Sequence, residues 1–179
     1  MSRPGWAETT ALMRDYYDHE WGFPVRDSRA VYERVTLEAF QSGLSWATVL
    51  RKRPAFREAF DGFDPEAVAR YIDADVERLL ADARIIRNRR KIEAAIGNAR
   101  ATVALRDAGN DLATLVWSFQ PDDPASYAGA TSCPESAACA KALKRSGFVF
   151  VGPTTVFALM QAIGILQHRS TPIGADAPV

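Results

Sequence analysis

At 179 residues, with 47% hydrophobic and 25% charged residues, the chain has the make-up of an ordinary globular protein, and no apolar run approaches the roughly 18 residues a membrane helix needs. Its 22 basic residues balance 22 acidic ones, which argues against a uniformly basic nucleic-acid binder but leaves room for one basic face. Cys133 and Cys139 are too few and too close for a disulfide framework, and the opening MSRPGWAETT lacks the apolar core of a signal peptide, so a reducing, cytoplasmic interior is expected. The expected organisation is one helical domain over residues 1–179, with a frayed tail from about residue 167.

The punctuation along the chain is helical. Asp27 and Ser28 are capping residues for a helix running toward Ser42, where Gly43 stops it. Leu44–Ser45–Trp46 opens the next helix, which Pro54 is expected to end. In DPEAVARY, Asp64 is the N-cap and Pro65 takes the first helical position. DADVERLLAD starts on Asp73 or Asp75. KIEAAIGNARATVAL carries apolar residues at 92, 95, 96, 99 and 103, a helical stripe. ESAACAKALKRSG ends at Gly147, and PTTVFALMQAIG opens on Pro153 and ends near Gly164. No long stretch alternates with period two. The fold class expected is all-α, with eight or more short helices.

Two stretches raise chemical questions. Residues 84–91 read RIIRNRRK, in which Arg84, Arg87, Arg89, Arg90 and Lys91 stand with no acid among them. They join a helix near 74–82 to one near 89–106. Such a hairpin can offer the free N–H groups and positive dipole end of its second helix to a phosphate, with arginines adding charge-assisted contacts. A solvated basic turn fits the pattern equally well.

The second stretch is EAFQSGLSW. Glu38 lies beside a stripe formed by Val31, Tyr32, Val35 and Ala39. A carboxylate there is costly unless it is paired or edges a cavity, and a lone one more often reaches water or an arginine. The N-terminal quarter also gathers Trp6, Tyr16, Tyr17, Trp21 and Trp46. Such aromatics are usually core. Beside a carboxylate they also describe a pocket for a flat, cationic ligand held by stacking and cation–π attraction, and a flipped nucleobase fits that description.

Taken together, GW at 5–6, YYDHEWGFPV at 16–25, LEAFQSGLSWATVLRKR at 37–53, FDP at 63–65, RIIRNRRKIEAAIGNA at 84–99, VWSF at 116–119 and KALKRSGFVFVGPTTVFALMQAIG at 141–164 resemble the Tag-type 3-methyladenine DNA glycosylases. These belong to the helix-hairpin-helix superfamily. The segments run in family order and cover nearly the whole chain to about residue 166. The resemblance implies an all-α glycosylase with its helix-hairpin-helix near 74–95, acting on alkylated double-stranded DNA and releasing 3-methyladenine, as a monomer without a membrane partner. It implies a base pocket of Trp6, Tyr16, Trp21, Glu38 and Trp46, with Glu38, Tyr16 and Trp46 as the catalytic set and Arg84, Arg87, Arg89, Arg90 and Lys91 on DNA. No cofactor is implied. Methylation at N3 makes adenine a cation and a good leaving group, so the bond needs less general-acid help than an ordinary glycoside. The family lacks the superfamily's usual aspartate after the hairpin, and no candidate stands in the stretch after Leu105. Four lysines, Lys52, Lys91, Lys141 and Lys144, all lie outside the pocket segments, so strand-nicking through a Schiff base is not expected. The alternative is a helix-hairpin-helix DNA-binding protein with lost or altered lesion specificity.

The chain departs from that family at three points. Many members join their termini through a structural zinc; the matching N-terminal positions here are Pro4 and Tyr17, and two cysteines with two histidines, His19 and His168, cannot supply the usual tetrahedral set. No metal is expected, and Tyr17 packing on the last helix is the expected substitute tether. Arg84 and Arg90 stand where glycines let a hairpin backbone approach phosphate closely. Met13 stands where an aromatic would wall the pocket.

Overall fold

Most helix starts are set by local sequence. Asp27, Ser45, Asp64, Asn88 and Asp111 each accept a hydrogen bond from a backbone N–H in the first turn that follows. The structure, a computed structural model, describes residues 3–166. Among these the helices are α1 (Ala11–His19), α2 (Ser28–Gln41), α3 (Trp46–Ala59), α4 (Pro65–Ala69), α5 (Asp73–Ala81), α6 (Arg89–Asp107), α7 (Leu112–Trp117), α8 (Pro134–Arg145) and α9 (Pro153–Ala162), with 3-10 turns at Gly5–Glu8 and Asp61–Phe63. No strand occurs among the described residues, so the fold is all-α. The expected tail lies outside them.

Gly43, Gly147 and Gly164 adopt φ of +81°, +92° and +79° just past α2, α8 and α9, the left-handed stops that the sequence predicts. Gly164 is also a close-approach site. A Cβ there would lie 2.8 Å from the Phe23 carbonyl carbon. This tight crossing lets Gly22 and Val25 donate to the Ala162 and Ile163 carbonyls at 3.0 and 3.1 Å, tying the segment after α1 to the end of α9.

The structure corrects three expectations. Pro54 does not end its helix; α3 runs through it to Ala59. The missing N–H costs one hydrogen bond, but Phe56, Ala59 and Phe60 beyond it are buried, and burying a side chain the size of phenylalanine is worth roughly 1.5–3 kcal/mol. The N-cap of α5 is Ile72, whose N–H donates to Asp75 at 3.0 Å, so Asp75 acts from the third helical position rather than as the cap. α2 has no apolar stripe with a polar back. All its residues from Val31 to Phe40 are buried, because it packs against α3, α6, α7 and α9. The sequence pattern shows neither α1 nor α7. Each is short, and α1 buries only Met13 and Tyr16.

The main core runs through α2, α3, α6, α8 and α9, with Phe40, Phe56, Phe60 and Phe63 among its largest fully buried side chains. Met13, Tyr16 and Leu50 form a second, smaller cluster against Trp21, Trp46 and Ala47. That satellite cluster is the floor of a pocket.

Candidate functional site

An open cavity of about 790 Å³ lies between the N-terminal segment, α1, the end of α2, the start of α3 and one face of α9. Trp6, Tyr16, Trp21, Glu38 and Trp46 all line it, so the five predicted pocket residues meet in one place. On one side Trp6 meets Trp21 edge-on at 5.4 Å between ring centroids. Tyr17 stacks on Trp21 at 5.5 Å and touches Trp6 edge-on. On the other side Tyr16 and Trp46 lie 5.6 Å apart with tilted rings. Met13 lines the cavity as well, and it packs with Tyr16 and Leu50. Its unbranched side chain makes that wall more adaptable than a ring would.

Glu38 is the one carboxylate among the described lining residues. It is only 7% exposed, and its side chain makes no hydrogen bond or ion pair to any described residue. It is not paired with an arginine, and it stays within the protein, edging the open cavity rather than the outer surface. Burial pushes its carboxyl up to about 8, against the opposing pull of the Arg34 guanidinium. Burial, and then the field of Glu38, hold the Tyr16 hydroxyl far above its ordinary range, so it stays protonated as a donor. The Trp46 Nε1 is buried and has no hydrogen-bond partner among the described residues. Glu38 and Tyr16 thus line the pocket with an acceptor and a donor that no described residue engages, while the Trp46 N–H is closed off, a cost of the order of 1–3 kcal/mol for one buried unpaired group.

A partly buried ion network joins the wall that carries Tyr16, Tyr17 and Trp21 to α2 and α3. Glu20, just past α1, accepts from Arg53 of α3 at 2.6 Å and from Arg34 of α2 at 3.0 Å. Arg53 also donates to Glu33 at 2.6 Å, and Arg57 donates to Glu33 at 2.9 Å. Arg53 and Glu33 form the buried pair, which loses more when one partner is removed than it adds as a pair, while the half-exposed Glu20 links the end of α1 to Arg34 of α2 and Arg53 of α3. Additional lining residues escaped the sequence reading. Gln41 lies three residues after Glu38 on one helix face, a spacing that could have pointed to it. Gln161 comes from α9, and nothing local to it gives that signal.

The hairpin is α5, residues 82–88 and α6. Its five basic residues separate into three kinds. Arg84 is held by Glu58 at 2.6 Å and Asp82 at 2.9 Å, and Arg89 is held by Glu77 at 2.5 Å. Arg87 and Arg90 are exposed and make no side-chain hydrogen bond or ion pair among the described residues. Lys91, expected on the nucleic-acid face, is turned inward: it is buried, and its ammonium donates to the Phe40 and Ser42 carbonyls at 2.8 and 2.6 Å. It follows Asn88 by three residues in the first turn of α6, which points it at the carboxyl end of α2, where orphan carbonyls attract a cation. The N–H groups of Ile86, Arg87, Arg89 and Arg90 donate to no acceptor among the described residues, so the start of α6 keeps its open donors.

No group of three or more His, Cys, Asp or Glu side chains among the described residues is arranged to hold a metal. His19 is exposed at the end of α1, with its Nδ1 3.0 Å from Asp15; His168 lies outside the described residues. Pro4 and Tyr17 line the pocket. The connection from α1 to α2 is linked to the end of α9 by the backbone pairing at Gly22 and Val25. After Leu105, Asp111 caps α7 and accepts from Ser28, and no carboxylate from that stretch is among the pocket's lining residues.

Comparison with known proteins agrees with this geometry. The family model "Methyladenine glycosylase" matches residues 6–172. The chain is 45% identical over 175 residues to DNA-3-methyladenine glycosylase 1 of Escherichia coli strain K12, covering 94% of each. Among solved structures, a 3-methyladenine DNA glycosylase I superposes with a TM-score of 0.86 at 45% identity, over 92% of this chain and 93% of that one. A tyrosine-to-phenylalanine variant of such an enzyme, in complex with 3-methyladenine, superposes with a TM-score of 0.85 at 32% identity, over 92% of each. The chain belongs to the methyladenine glycosylase family, with its helix-hairpin-helix fold.

Proposed function

We propose that Glu38, the buried carboxylate without a protein partner, is the group that reads the damaged base, with Tyr16, Trp46, Trp6 and Trp21 completing the base site. The protein is a DNA glycosylase acting on 3-methyladenine. The observation that carries the reading is the position of Glu38 in an aromatic pocket that leaves its charge unanswered. N3-methyladenine supplies what is missing: a flat cation with hydrogen-bonding edges. It stacks on Trp46 and the Trp6–Trp21 pair, and its charge draws Glu38 into the ionised form. Unmodified adenine is neutral and better paired in the duplex, so it pays more to leave the stack and gains less in the pocket.

Chemistry then needs little from the protein. The N-glycosidic bond breaks with its electron pair moving to the base, which leaves as neutral 3-methyladenine. A water adds to the sugar C1′ and gives up a proton. The carboxylate favours the charge of the departing base and of the electron-poor sugar. No lysine is among the described lining residues, which supports hydrolysis without strand nicking. Arg87, Arg90 and the open amides at the start of α6 bind the backbone in this reading. Arg84 and Arg89 reach it only after leaving their carboxylates. In this reading the enzyme works as a monomer in the cytoplasm; its two free, buried cysteines fit a reducing compartment.

Incubating the protein with alkylated duplex DNA and separating the released bases tests the reading. Release of 3-methyladenine with an intact abasic strand is expected. Tight duplex binding with no base released would instead identify a binding module on this fold.

A further inference from the structure

The hairpin and the pocket are joined by two ammonium groups that neither site accounts for. The Lys52 Nζ on α3 donates to three consecutive carbonyls of the hairpin turn: Arg84 at 2.7 Å, Ala83 at 3.2 Å and Ile85 at 3.4 Å. The Lys91 Nζ on α6 reaches the other way, to Ser42 and Phe40 at the end of α2. Neither lysine has a carboxylate partner among the described ion pairs. We propose that Lys52 and Lys91 are positioning residues: they hold the DNA-gripping hairpin in register with the base pocket and touch no DNA themselves. The proposal rests on the reading of the previous section.

Lys52 acts through peptide geometry. In a planar trans peptide the N–H points opposite to the C=O. Turning the carbonyls of residues 83–85 toward one ammonium sends the amides of residues 84–86 the other way. The Arg84 amide is taken by the Asp82 carboxylate and the Ile85 amide by the Asp82 carbonyl. The Ile86 amide is left open, followed by those of Arg87, Arg89 and Arg90. Three carbonyls gathered at one point repel one another unless a cation sits among them, and an ammonium has three hydrogens to share. Lys52 therefore shapes the edge that a phosphate would meet while lying on its opposite side.

The two lysines also reach two helices that line the pocket. Lys52 stands six residues after Trp46 on α3, and the Lys91 acceptors stand two and four residues after Glu38. α2 and α3, which carry Glu38 and Trp46, are thus each tied to the hairpin through one lysine ammonium. The distance from an extruded base to its flanking phosphates is fixed by the covalent structure of DNA. A hairpin out of register would therefore hold the duplex but present the base badly, and misplacement of this kind is expensive in rate.

Lys52→Met and Lys91→Met remove the charge and keep the length. In each, single-turnover release of 3-methyladenine at saturating alkylated duplex should fall about tenfold. Binding of free 3-methyladenine, read by tryptophan fluorescence, should stay within about twofold. The slope of log affinity against log salt on undamaged duplex should not change. Lys52→Arg, which can still donate to carbonyls, should recover part of the rate. A slope reduced by about 0.9 would mean that the lysine meets a phosphate, and undiminished release would mean that it only supports the fold; either overturns the proposal. Lys52 is partly exposed, so Lys52→Met decides alone if Lys91→Met does not fold. A wild-type protein that releases no 3-methyladenine would overturn the functional reading. Amide exchange in residues 82–88 would then decide this inference: faster exchange in Lys52→Met is expected, and unchanged exchange overturns it.

Discussion

In the pocket, Glu38 is buried and has no described partner; in the hairpin, Arg84 and Arg89 are exposed and each is claimed by a carboxylate. The two regions carry very different information about function. Burying a carboxylate without a partner is costly, so its persistence points to a ligand that supplies the missing charge. Exposed ion pairs are worth roughly 0–1 kcal/mol, so a basic run in sequence says little about which cations remain open to a backbone. Within RIIRNRRK only Arg87 and Arg90 keep that freedom.

The sharpest way to break this contrast is Glu38→Gln. It keeps the size and one acceptor but removes the charge. A charge-assisted hydrogen bond is worth roughly 1.5–3 kcal/mol, so single-turnover release of 3-methyladenine should fall about ten- to a hundredfold, while undamaged duplex binds as before. Normal release with a much lower melting temperature would show that Glu38 holds the fold instead.

The hairpin side is next in size. Arg87→Ala with Arg90→Ala should flatten the plot of log affinity against log salt by up to about 0.9 for each true phosphate contact. Arg84→Ala with Arg89→Ala should flatten it less, since those guanidiniums are already neutralised by Glu58, Asp82 and Glu77. Equal effects from the two pairs would show that DNA strips the carboxylates away and that the ion pairs do not sort the cations.

A third test uses pH. The Glu38 carboxyl is held at about 8, against an ordinary 4.5. Binding a cationic base favours its ionised form, so release per unit of enzyme–duplex encounter should rise with pH up to about 8, and Glu38→Gln should lose that rise. Stability moves the other way. Between about 4.5 and 8 the folded protein binds a proton that the unfolded chain has already lost, so this contribution to stability is present below 4.5 and lost as pH climbs through 8. Glu38→Gln should therefore match wild type in melting temperature at pH 4.5 and exceed it by a few degrees at pH 8 or above. The reverse order would mean that Glu38 is already ionised and supported in the free protein.

The smallest expected effect lies where the two regions share nothing. Gly164→Ala would press a Cβ to 2.8 Å from the Phe23 backbone in a left-handed conformation, lowering the melting temperature by several degrees. The salt slope should not move, and release by the folded fraction should change only through the nearby wall that carries Trp21.

What the sequence by itself determined is local or compositional. Caps at Asp27 and Asp64 and stops at Gly43, Gly147 and Gly164 act within a turn of where they stand, so they could be read without knowing any neighbour. Four of the aromatic residues that line the pocket, Trp6, Tyr16, Tyr17 and Trp21, sit close together in the chain, on α1 and in the turns beside it, so their convergence could be expected too. Tertiary structure decided the rest, because it depends on groups far apart in sequence. Pro54 stays helical since Phe56 and Phe60 beyond it are drawn into a core built by other helices. α2 is buried all round because four helices surround it. Lys91 faces inward because α6 starts beside the carboxyl end of α2. Glu38 has no protein partner because Arg34, the cation nearest in the chain, is spent on Glu20. Which charges a fold leaves unanswered is set by the packing of all its elements, and no short stretch of sequence contains that sum.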